Sequence, residues 1–168
     1  MPTGLKASSS VISIGFGVAE TVAGTMAQSQ IDLNLSPLDR EVFVVLAVNI
    51  DTDFPDYTTG NTDVRAALTT TSQTTMPTLQ NANCLSRINS SLRNAAGGAG
   101  VGYQSAALET PPSTLDYIGI IATNDFFVQV QGLNNAGIKG ASGKMYGYRA
   151  IASADIYAAL VQSEVLSA

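Results

Sequence analysis

Histidine is absent from this chain. Ser-His-Asp and Cys-His nucleophile systems, imidazole acid–base catalysis and every histidine-containing zinc site are thereby excluded. Cysteine occurs once, as Cys84, so neither an internal disulfide nor a multi-thiolate metal site can form, and a buried, inert thiol is the expectation. Charge is scarce too: Asp, Glu, Lys and Arg make up 12% of the residues, about half the roughly 25% of an ordinary soluble domain. The 8 basic residues are scattered from Lys6 to Arg149 against 13 acidic ones, for a net charge of −5. Direct nucleic-acid binding needs several convergent cations to neutralise phosphates, and none is expected here. The longest apolar-leaning stretch, Val11 to Ala27, is interrupted by Ser13, Gly15, Gly17, Glu20 and Gly24, so no membrane span is predicted.

Phosphate and dinucleotide signatures fail on their own geometry. Gly15-Phe16-Gly17 opens like a dinucleotide fingerprint, but Glu20 stands where the third glycine belongs. The glycine run from Gly97 to Gly102 has no following Gly-Lys-Ser/Thr and reads as a flexible link. No cofactor and no enzymatic activity are therefore predicted. Lys6 ahead of an apolar stretch, with Thr25-Met26-Ala27 behind it, has the outline of a secretory signal. Glu20 inside the apolar stretch argues against that, so the N-terminus reads as mature chain.

What the chain does contain is neutral polarity and alternation. Ser, Thr, Asn and Gln supply 50 of 168 residues beside an apolar fraction of 45%, so the surface must be mostly amide and hydroxyl. Such a surface suits large neutral contacts between subunits. The length fits one domain, read as a sandwich over residues 26–168 preceded by an extended arm or strand over residues 1–25. Val11 to Val18 alternates as a strand, and from Gln30 onward Ile31, Leu33 and Leu35 share one face. In Glu41 to Ile50, Val42, Val44, Leu46, Val48 and Ile50 alternate with Phe43, Val45 and Ala47, the pattern of a central strand covered on both sides. Val64 to Ser72 resumes the alternation. Within Leu79 to Asn94, by contrast, Leu85, Ile88 and Leu92 are spaced as on a short amphipathic helix. Tyr117 to Ala122 and Phe126 to Gln131 flank Thr123-Asn124-Asp125 and read as a β-hairpin, with Phe126, Val128 and Val130 inward. Lys144 to Ala152 is a further strand, and Ala154 to Leu166 is compatible with a terminal helix. The fold class is all-β: an antiparallel β-sandwich with one or two short helices.

Two groups of residues stand out as candidate sites. Asp51, Asp53, Asp56 and Asp63 crowd a loop and offer hard oxygen ligands of the kind calcium takes, but their spacing lacks the EF-hand glycine and glutamate. Asp51, Asp53 and Asp56 are weak metal candidates, and a solvated polar loop is the simpler expectation. Subunit-contact candidates are Val11, Ile12, Ile14 and Phe16 on the N-terminal strand, Phe54 and Tyr57 in the aspartate loop, and Phe127 on the face opposite Phe126. Tyr117, Tyr146 and Tyr148 with the Phe126-Phe127 pair are alternatively candidates to line a ligand groove.

The proposed hairpin, the Glu41 to Ile50 strand, the Thr69-Thr70-Thr71 strand and the Pro111-Pro112 lead-in resemble, over residues 25 to 155, small single jelly-roll capsid proteins of icosahedral viruses and phages. That resemblance implies a jelly-roll-like sandwich and a structural subunit assembling with itself, and with other virion proteins, into a capsid shell or a decoration layer. It places the chain in the virion. Many such proteins carry a basic N-terminal arm that packs RNA, whereas residues 1–25 hold only Lys6 and Glu20 as charged side chains. The alternatives are a filament or surface-layer subunit assembled by strand exchange through Val11 to Val18, or a carbohydrate-binding β-sandwich module.

Overall fold

Apolar alternation wins over helix propensity in most of the regular structure, which is ten strands and one α-helix among the described residues. The computed structural model describes residues 2–94, 98–106 and 114–167. Among the described residues, strands account for 51% and helix for 10%. In chain order the strands are β1 (Leu5–Ala7), β2 (Ile12–Ala19), β3 (Ala27–Asp32), β4 (Glu41–Thr52), β5 (Thr62–Thr69), β6 (Cys84–Asn94), β7 (Gly100–Ala106), β8 (Gly119–Ile121), β9 (Asp125–Leu133) and β10 (Gly140–Ala152), followed by helix α1 (Ala154–Leu166).

All pairings are antiparallel. One sheet runs β2-β10-β4-β8, with β1 continuing the β2 edge along the far end of β10; the other runs β3-β9-β5-β6-β7. Strands β2, β10, β4 and β8 facing β3, β9, β5 and β6 form a jelly-roll-like sandwich, because six of the nine connections between successive described strands pass from one sheet to the other. Between the sheets lie Phe16, Phe43, Val48, Leu68, Phe126 and Met145 among others, all essentially buried. A second apolar layer forms outside the first sheet, where Ile156, Tyr157, Leu160 and Val161 of α1 cover Val42, Val44 and Ala150. These helix positions recur at i, i+1, i+4 and i+5, one stripe of a 3.6-residue period.

Helix α1 also closes a sheet crossing. Glu164, buried, accepts hydrogen bonds from the backbone N–H groups of Ala122 (2.9 Å) and Thr123 (3.2 Å) and from the Thr123 hydroxyl (2.8 Å). Those amides lie where the chain leaves β8 for β9 and lack strand partners, so the carboxylate satisfies donors that would otherwise be orphaned. The expected hairpin is thereby corrected. The Thr123-Asn124-Asp125 turn is sharp, but β8 pairs with β4 in one sheet and β9 with β3 and β5 in the other. The turn is a corner of the sandwich, and the inward assignment of Phe126, Val128 and Val130 holds.

Two β-bulges explain two further departures. On β4, Val45 pairs with Gly147 and Ala47 with Tyr146, leaving Leu46 extra. Past that point the inward parity flips, so Phe43 and Val45 share the core with Val48 and Ile50, while Val42 and Val44 face α1. On β6, Leu85 is skipped between Cys84 and Ser86 in the pairing with β5. Leu85 therefore joins Ile88 on the core side at a spacing of three, which imitates a helical period in what is a strand. Cys84, at the start of β6, is half-buried, and burial pushes its thiol pKa up, which disfavours the thiolate. The glycine run is corrected as well: from Gly100 onward it is strand β7, not a link. Gly97, Pro111 and Pro112 lie outside the described residues.

The N-terminal strand is part of the sandwich. β2 pairs with β10 over its full length, and Phe16, a subunit-contact candidate, instead sits in the core 5.9 Å from the Phe126 ring in an edge-to-face contact. β10 can lie this close to its neighbours because of its glycines. A Cβ on Gly147 would stand 2.2 Å from the Val44 carbonyl oxygen and 2.5 Å from the Phe43 ring. Gly147→Ala is expected to lower stability by ~1–3 kcal/mol, seen as a lower denaturant midpoint at unchanged slope. A wild-type midpoint would show that the β4 bulge relaxes to admit the methyl group.

Candidate assembly surface

The edge strand β7 is exposed along both faces: all seven of its residues are accessible, because the opposite sheet does not reach that far. It pairs with β6 in unbroken register from Ile88–Ala106 to Asn94–Gly100, leaving its outer edge without a strand partner among the described residues. Its sequence, Gly-Val-Gly-Tyr-Gln-Ser-Ala, has no charge and no proline. Residues with large side chains lie against it from the β4–β5 connection. A Cβ on Gly102 would meet the Phe54 ring at 2.8 Å, and one on Gly100 the Tyr57 ring at 3.0 Å. The two glycines are thus the floor on which these rings rest, and Tyr57 donates from its hydroxyl to the Gly98 carbonyl at 2.7 Å. Phe54 and Tyr57 nonetheless remain 61% and 64% exposed, beside Val101 at 64% and Tyr103 at 46%. Phe54 and Tyr57 on one face of β7 and Val101 and Tyr103 on the other flank one open edge, a neutral two-sided surface of the kind that marks an interaction site.

Charge near this patch is neutralised within the chain. On the outer face of the second sheet, Asp63 is buried and accepts from Arg93 (3.1 Å) and from the Ser91 hydroxyl, with Arg65 3.5 Å away. Arg93 also lies 6.0 Å from the Tyr103 ring centre and reaches its hydroxyl at 3.5 Å, which draws the phenol pKa below its ordinary value. The patch is left neutral in front of a compensated ion cluster.

The aspartates do not converge. Asp51 is exposed on β4, Asp63 is in the cluster just described, and Asp53 accepts from the Gly140 amide at 2.7 Å. Asp56 accepts from Lys139 Nζ (2.6 Å) and from the amides of Ala136 (3.1 Å) and Gly137 (3.2 Å). Among the described residues no group of three or more acidic, cysteine or histidine side chains is placed to hold a metal ion. Asp53 and Asp56 tie the β4–β5 connection, which carries Phe54 and Tyr57, to the β9–β10 connection and the start of β10. The buried Glu20 does the same for the β2–β3 connection by accepting from the amides of Gly132 (2.8 Å), Lys139 (2.9 Å) and Gly24 (3.1 Å).

The Lys139 ammonium holds the Asp56 carboxyl below its ordinary pKa. A depressed folded-state value means a contribution present above the unfolded pKa of about 4 and lost as pH falls through the folded one. Asp56→Asn is therefore expected to lower the melting temperature at pH 7 and to bring the variant and parent together at pH 2–3, with thermal melts across that range as the check. Equal melting temperatures at pH 7 would show that solvent screens the pair.

The remaining candidates lie elsewhere. Val11, just before β2, and Ile12, at its start, are exposed, the latter roughly 23 Å along the strand from Ala19, which pairs with Gly140, and Ile14 is half-buried against the core. Phe127 is half-buried on the outer face of the second sheet, opposite Gln30 and Thr69. The tyrosines separate: Tyr117 and Tyr148 pack in the layer under α1, and Tyr146 lines an open groove of about 320 Å³ with Asn49, Asp51, Ser142 and Lys144. Sequence reasoning missed β7, Val101 and Tyr103. The one available signal was the alternation Val101, Tyr103, Ser105, hidden behind glycines.

No family model and no curated protein matches the chain. Among solved structures, a chain of desmodium yellow mottle tymovirus matches at 12% identity with a TM-score of 0.35, covering 92% of this chain and 95% of that one. Similarity of this depth leaves function to be read from the surface itself.

Proposed function

We propose that this chain is a structural subunit that assembles with copies of itself into the shell or decoration layer of a virus particle, and that it is not an enzyme. The observation that carries the reading is the seven-residue, uncharged, two-sided edge strand β7 with Phe54 and Tyr57 resting on it. Proteins that stay monomeric blunt such edges with lysine, proline or a bulge, and β7 has none of these. The jelly-roll-like winding supports the viral part by analogy of fold, since capsid domains use it repeatedly, as do lectins. The groove beside Tyr146 favours, as a second reading, a carbohydrate-binding module, because it offers an aromatic ring with amide, hydroxyl and carboxylate groups around one space.

Size-exclusion chromatography and electron microscopy of the purified chain separate these readings. Closed shells or rings are expected, and they should persist between low and moderate salt because neutral contacts are not screened. A monomer at all concentrations would overturn the proposal, and open fibres would replace it with the filament alternative.

A further inference from the structure

We infer that β7 pairs with β7 of a second copy of this chain, antiparallel about a two-fold axis through Tyr103, so that two five-stranded sheets become one of ten strands. The inference rests on the self-assembly reading and names the contact that performs it. Gly100–Ala106 is centred on Tyr103, and in antiparallel register about that residue Gly100 faces Ala106, Val101 faces Ser105, Gly102 faces Gln104 and Tyr103 faces its own copy. Every facing pair is uncharged, so the strand meets itself with no like-charge contact. For a chain of net charge −5, an interface between identical copies needs such a neutral strip. The contact is self-complementary, as a two-fold interface must be, and its length is roughly 24 Å at strand rise.

The competing edges fit less well. β1 and β8 have three residues each, β3 carries Asp32, and β2, though uncharged, turns Phe16 into its own core. β7 is the one of these edges that is long, neutral and exposed on both faces.

The test combines cross-linking with a charge exchange. In a Cys84→Ser background, Tyr103→Cys places two thiols directly opposite each other at a Cα separation a disulfide spans. Oxidation is expected to give a covalent dimer, whereas Leu38→Cys, at a 94% exposed site outside the strands, is the control that should not. Val101→Lys/Ser105→Lys sets lysine against lysine at both facing pairs and should abolish assembly. Val101→Lys/Ser105→Glu instead sets a lysine of each copy against a glutamate of the other at both facing pairs and should restore it. If the wild-type chain assembles but Tyr103→Cys cross-links no better than the control, or the two double variants behave alike, the β7 pairing is wrong and self-assembly stands. A wild-type chain that stays monomeric, as an edge reserved for another protein or covered by the chain's own residues would leave it, overturns both.

Discussion

Phe126→Ala is expected to destabilise the domain by ~3–5 kcal/mol, the range for deleting a fully buried phenylalanine. The ring is fully buried between the sheets and meets Phe16 edge-to-face at 5.9 Å and 82°. Truncation leaves a cavity where β2, from one sheet, and β9, from the other, touch, and neither backbone can close it without breaking its ladder. For a domain whose total stability is typically ~5–15 kcal/mol, that loss leaves a barely folded or unfolded chain. Phe127 is the internal control. It points to the opposite face of the same strand and is only half-buried, so Phe127→Ala should cost on the order of 1 kcal/mol. Denaturant titrations of the two variants measure the difference, and a larger loss for Phe127 would mean that β9 is out of register by one residue.

Removing residues 1–18 is expected to abolish cooperative folding. Read from the sequence, the segment lies in an extended arm or strand that precedes the sandwich. In the structure it supplies β1, most of β2, and Leu5 and Phe16 to two different apolar layers. Phe16 alone is worth ~3–5 kcal/mol on the scale of phenylalanine truncations, and the deletion also strips backbone pairings along most of β2 from one side of β10. Far-UV circular dichroism and a thermal melt of the truncated chain decide the matter. A sigmoidal melt near the wild-type midpoint would show that β2 is dispensable and return the segment to the role of an arm.

The parts of the fold legible in the sequence are those where one face of a strand is buried and the parity is unbroken. Phe126, Val128 and Val130 read inward and are inward; Ile31, Leu33 and Leu35 read as sharing one face, and all three lie in or against the core. Where a bulge adds a residue, parity carries no information across it. Leu46 therefore split β4 between two layers, and Leu85 made β6 look helical. Pairing partners were not legible either, because a sharp turn such as Thr123-Asn124-Asp125 serves a hairpin and a corner between sheets equally well. The candidate assembly surface was half legible. Phe54 and Tyr57 were apparent as aromatics in a polar loop, but the strand beneath them was not, because its glycines, which leave room for those two rings, carry no pattern of their own.

The central claim is that the neutral patch around β7 holds copies of the chain together. Sedimentation velocity of the wild-type chain beside Phe54→Ser/Tyr57→Ser tests it most directly, since both side chains are mostly exposed and their loss leaves the core untouched. The expected result is a large, concentration-dependent species for the wild type and a monomer for the double variant, with melting temperatures of the monomeric units unchanged. Equal sedimentation of the two proteins, whether both monomeric or both assembled, would contradict it.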